Sequence, residues 1–69
     1  MANSRYWNRV QYVDGKIDVS SHKTKTAARA AAKGSVNRTH IDSGAKVEVV
    51  ELQERLSNGA FLTLEVFRP

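Results

Sequence analysis

Thr24-Lys25-Thr26-Ala27-Ala28-Arg29-Ala30-Ala31-Ala32-Lys33-Gly34-Ser35-Val36 is the stretch that decides the fold. It is the one clear helix signal in 69 residues, and it separates two strand-rich halves. At about 100° per residue, Ala27, Ala28, Ala31, Ala32 and Ser35 share one smooth face. Lys25, Arg29 and Lys33 recur every fourth residue and stack on another. The first face is small enough to lie close on a sheet, and the second turns a row of positive charge outward. Thr24 reads as the N-cap, its hydroxyl accepting from a free amide of the first turn. The helix is expected to end between Lys33 and Val36, with Gly34 in a left-handed cap or Asn37 as the alternative stop.

On the N-terminal side, residues 5–13 are rich in aromatic and β-branched side chains, which suit a strand. Asp14-Gly15 follows, a strong two-residue hairpin signal. A two-residue turn pairs Tyr12 with Ile17 and Val10 with Val19, collecting all four on one face. Residues 20–23 read as a loop, and so do residues 37–44. On the C-terminal side, residues 45–56 form a third strand. Its alternation changes phase between Val49 and Val50, so a bulge is expected there. A three-residue loop, Asn58-Gly59-Ala60, pairs Leu56 with Leu62, Glu54 with Leu64 and Leu52 with Val66. The layout is α+β: β-β-α-β-β, one domain over residues 1–69, a four-stranded antiparallel sheet with one helix on one face. The expected strand order is 2-1-3-4.

That helix covers one sheet face only. Val10, Tyr12, Ile17, Val19, Leu52, Leu56, Leu62, Leu64 and Val66 are expected beneath it. Trp7, Val13, Phe61 and Phe67 fall on the other face, among Arg9, Gln11, Asp18, Thr63 and Glu65. Large apolar groups on an uncovered face mark a binding or dimerisation surface.

The formal charge is +4, and it is unevenly spread. Residues 1–46 carry nine Lys or Arg against three Asp, a formal +6, and residues 47–69 carry a formal −2. A basic front points to a polyanionic partner. Lys25, Arg29 and Lys33 are spaced to meet successive phosphates, and Lys16, Lys23 and Arg38 extend the patch. Such contacts give affinity and salt dependence but little sequence reading. Trp7 between Arg5 and Arg9 resembles a stacking platform for single-stranded bases.

Most catalytic chemistry finds no purchase here. There is no cysteine, so there is no thiolate nucleophile, disulfide or thiolate metal site. The serines lie in turn-like stretches, and His22 and His40 fall in predicted loops at opposite ends of the helix, outside any metal-ligand spacing. Glu48, Glu51 and Glu54 are split between strand faces by alternation. Gly34 and Gly44 build no phosphate loop. No enzyme activity, metal or cofactor is expected. No run reaches the ~20 apolar residues of a membrane span, and the first residues lack the apolar core of a secretory leader. The expected setting is the cytoplasm, without membrane association.

The Tyr6-Trp7 start, Asp14-Gly15, Thr24-Lys25-Thr26-Ala27-Ala28, Asn58-Gly59, the small size and the lack of cysteine together resemble, in layout, the hairpin–helix–hairpin proteins of bacteriophages and mobile elements. Some of those are anti-CRISPR or host-takeover proteins. The resemblance implies a non-enzymatic inhibitor that occupies a nucleic-acid or protein surface inside a host cell. It assigns no residue a role, and the basic charge departs from those members that mimic nucleic acid. Two readings result. One is a binding module for nucleic acid, acting through Lys16, Lys23, Lys25, Arg29, Lys33 and Arg38. The other is an inhibitor or adaptor for a host protein, acting through Arg5, Trp7, Arg9, Phe61 and Phe67. A homodimer paired through the sheet is a third possibility.

Overall fold

In a computed structural model, residues 5–69 are described. The chain runs β1 (Tyr6–Tyr12), β2 (Ile17–His22), α1 (Lys25–Ser35), β3 (Val47–Arg55) and β4 (Phe61–Phe67). The strands form one antiparallel sheet in the order β2-β1-β3-β4. This is the α+β architecture and the strand order that the sequence implies. Each hairpin closes locally, and β1 and β3 meet at the centre.

Thr24 caps α1, its Oγ1 accepting from the Ala27 amide at 3.1 Å. The helix lies over β1 and β3 and buries Ala28 and Ala32 completely. Ala31 and Ser35 are half-buried, and Ala27 is exposed. Gly34 stays inside the helix rather than capping it; Val36 is the C-cap, in a right-handed conformation. Beneath the helix, Val10, Tyr12, Val47 and Val50 cluster with Ala32, and Val36, Ala45 and Phe67 pack against them. Leu52 is also fully buried. The helix backbone sits so close to the sheet that Asn8 of β1 donates from Nδ2 to the Ala28 carbonyl at 2.8 Å. Small side chains at the contact make that approach possible. Ala32→Leu is therefore expected to cost about 1–3 kcal/mol through overpacking, while Ala30→Leu on the exposed face stays within about 0.5 kcal/mol. Thermal melts of the two variants read the difference.

Strand registers differ from expectation in both hairpins. In the first, the Tyr12 amide donates to the Lys16 carbonyl (2.9 Å) and the Gly15 amide to the Tyr12 carbonyl (3.0 Å). Residues 13–15 thus form a three-residue loop, with Gly15 at φ 89°. This is a turn ending in a left-handed residue, a position that glycine fills without strain. The Lys16 amide donates to Asp14 Oδ1 at 3.1 Å, and this bond holds the Asp14 carboxyl below its usual range. The pairing becomes Gln11 with Ile17, Val10 with Asp18 and Arg9 with Val19. A slip of one residue turns every side chain of a strand to the other face. Ile17 and Val19 leave the expected core for the open face, and Asp18, Ser20 and His22 turn to the helix side. There Asp18 accepts from the Tyr12 hydroxyl at 2.9 Å.

In the second hairpin the loop has the expected three residues, but they are residues 57–59: the Leu56 amide donates to the Ala60 carbonyl at 2.8 Å. Glu54 pairs with Leu62, Leu52 with Glu65 and Val50 with Phe67, with a register shift between Leu52 and Gln53 that leaves Leu64 as the extra residue. Phe67 is therefore a core-side residue, and Val66, opposite Glu51, faces outward. Leu56 and Leu62, expected in the core, are 38% and 50% exposed. The phase change in β3 is real but falls earlier, at Glu48, which is left out of the pairing between Gln11–Val49 and Tyr12–Val47. That bulge brings Val47 and Val50 into the core together and leaves Val49 on the open face.

Candidate binding surfaces

Two surfaces carry the residues singled out in the sequence. The first is the outer side of α1. Lys25, Arg29 and Lys33 are exposed along it, successive members about 6 Å apart at 1.5 Å rise per residue. Beside them runs a second exposed row, Thr26, Ala30 and Gly34. Long cations thus flank a smooth strip of backbone, and α1 itself contains no acidic residue. Lys23 lies just before the helix and is exposed. Lys16 and Arg38 gather at the opposite end, where Arg38 sits 4.0 Å from Asp18. Arg29 reaches Glu65 of β4 at 3.2 Å, with Arg29 exposed and Glu65 partly so. Pairs of this kind contribute roughly 0–1 kcal/mol and exchange readily for other anions.

The second surface is the sheet face away from the helix. Trp7 and Phe61 meet edge to face, ring centroids 6.0 Å apart. The indole Nε1 of Trp7 is buried without a hydrogen-bond partner. Arg9 reaches Glu51 at 3.4 Å and Gln11 at 3.2 Å. Arg5 is bound to Glu54 at 2.6 Å and so does not stand free beside Trp7. Of the five residues expected at this surface, Trp7, Arg9 and Phe61 come together, Arg5 lies alongside, and Phe67 is on the other side of the sheet. The register adds residues that alternation alone missed: Ile17, Val19 and Val66, which are 46%, 63% and 48% exposed. A three-residue reading of Val13-Asp14-Gly15 was the signal that would have placed the first two.

No family model, curated protein or solved structure matches this chain.

The two histidines do more than sit in loops. His22 ends β2, its Nε2 3.0 Å from Ser20 Oγ and 3.3 Å from Asn8 Nδ2. His40 Nδ1 accepts from the Asp42 and Ser43 amides at 3.1 and 3.3 Å, and its ring stands edge-on to Tyr12. That arrangement organises the 40–45 loop. Among the described residues, no group of three His, Cys, Asp or Glu is placed to hold a metal ion, and no helix is long and apolar enough to cross a membrane. A shallow cleft of about 340 Å³ lies beyond the helix C-terminus, lined by Val36, Arg38, Lys46, Val47 and Pro69 among others.

Proposed function

We propose that the protein is a non-enzymatic binding module that engages the phosphate backbone of nucleic acid through the outer side of α1. The observation that carries this reading is the pair of exposed rows on one helix: cations at 25, 29 and 33 beside small residues at 26, 30 and 34. Bulky groups at those small positions hold a polyanion off the helix; Thr, Ala and Gly let it approach while the longer Lys and Arg side chains close on it. Lys23 continues the positive surface toward the helix start. Phosphate contacts of this type position the protein without reading bases. The binding is therefore expected to be salt-sensitive and broad in sequence. Fluorescence anisotropy with labelled duplex DNA and single-stranded RNA tests it, over a range of salt concentrations. Binding at low salt that falls steeply with added salt supports the reading, and no binding at low salt removes it.

A further inference from the structure

The open sheet face has an order along its rungs that the helix side lacks. Across the middle rung the residues are Val19 on β2, Arg9 on β1, Glu51 on β3 and Val66 on β4, each paired with the next. The rung reads apolar, cation, anion, apolar. We propose that this face is the interface of a homodimer, formed by a twofold axis that runs parallel to the strands between β1 and β3. Such an axis places β1 of one copy over β3 of the other while keeping the rungs level. Arg9 of each protomer then meets Glu51 of its partner, and Val19 meets Val66. The next rung, Ser21, Trp7, Gln53 and Thr63, follows the same rule and sets Trp7 against Gln53.

Three features support a second copy as the occupant. The rung is self-complementary in both charge and apolarity, which a twofold interface requires of one patch. Arg9 and Glu51 are partly sheltered, at 34% and 30% side-chain exposure, and each keeps its own partner while gaining an opposite charge across the axis, which offsets the cost of taking the pair out of water. Their balance at the centre of the face gives a polyanion no net attraction there, unlike the helix side. Aligned sheets pack about 10 Å apart, within reach of Arg and Glu side chains extended from facing strands. The inference is independent of nucleic-acid binding, because the two helices end up on the outer sides of the pair.

The test uses charge exchange between two variants of the full chain. Sedimentation velocity at low and high micromolar concentration is expected to show a concentration-dependent dimer for the unaltered protein. Arg9→Glu alone sets carboxylate against carboxylate at each contact across the interface, and Glu51→Arg alone sets guanidinium against guanidinium. Each is expected to weaken the dimer at least roughly a hundredfold, since like charges brought together cost several kcal/mol. An equimolar mixture of the two restores opposite charges at both contacts and is expected to restore the dimer. A purely structural effect of either substitution does not produce that recovery. Val19→Lys, at an exposed edge-strand position, is expected to give a folded monomer by circular dichroism. An unaltered protein that stays monomeric at all concentrations overturns the proposal and leaves the face to a different protein. A dimer that persists in Val19→Lys, or a mixture that stays monomeric, overturns it as well.

Discussion

Leu52→Ala is expected to remove a large share of the stability of this fold. Leu52 is completely buried on the central strand β3, paired with Asn8 on one side and Glu65 on the other. Truncating a buried leucine loses its transfer free energy and leaves a cavity, together about 2.7–5 kcal/mol. A chain of this length has only about 3–10 kcal/mol to lose, at roughly 0.05–0.15 kcal/mol per residue. The buried set is also short: among the described residues, seven apolar ones, two of them alanine, lie fully inside. Neighbours therefore have little room to collapse into the gap without disturbing the helix contact. Urea unfolding followed by circular dichroism measures the effect. With a slope near 1 kcal/mol/M for a small domain, the midpoint is expected to fall by about 2 M or more. Leu62→Ala is the control, because Leu62 is half exposed and pairs with Glu54 outside the core cluster. Its midpoint is expected to move by about 0.5 M or less. Equal shifts in the two variants contradict the β3–β4 register.

The second large effect concerns binding. Replacing Lys25, Arg29 and Lys33 together by alanine is expected to abolish nucleic-acid association at moderate salt. Each phosphate contact contributes about 0.9 to the slope of log affinity against log salt concentration on duplex DNA. Losing three contacts flattens that slope by roughly 3. The fold is expected to survive. Alanine is the best helix former, the three positions are exposed, and the released Glu65 is itself partly solvated. A matched variant separates a specific surface from bulk charge: Arg5, Arg55 and Arg68 to alanine removes the same charge outside α1 and leaves the Arg9–Glu51 pair in place. Binding is expected to persist there with most of its salt slope. Equal loss in both triple variants shows that net charge, and not the helix surface, drives association.

Some of this architecture was legible residue by residue. The Thr24 cap, the alanine contact at 28 and 32 and the outward Lys25–Arg29–Lys33 row follow from helix periodicity, which needs no knowledge of the rest of the chain. Val10 and Tyr12 were placed correctly because β1 is central, and only one of its faces can take the helix. Trp7 and Phe61 reached the open face for the same reason of parity. Asn8 was not visible as a helix anchor. Its role depends on the Ala28 carbonyl coming within 2.8 Å, a distance set by the packing of the helix on the sheet.

The edge strands show where pattern alone fails. In β2 every residue before His22 is exposed, so neither register buries Ile17 and Val19 under the helix. With no burial to favour one face, the loop decides, and Gly15 in the left-handed region selects three residues instead of two. β4 behaves alike: alternation gathers its leucines on one side, but the helix lies over β1 and β3, and the shift around Leu64 divides them. The sequence by itself determined the number and type of the elements, the two hairpins and the basic helix surface, because these rest on local periodicity and short hairpin connections; the pairing of β1 with β3, which completes the strand order, is a long-range contact of the folded chain. Only the tertiary structure decided the two outer registers, and with them which apolar and charged residues share the open face. Register at an edge is set by turn geometry and the reach of the covering helix, neither of which a period of two contains.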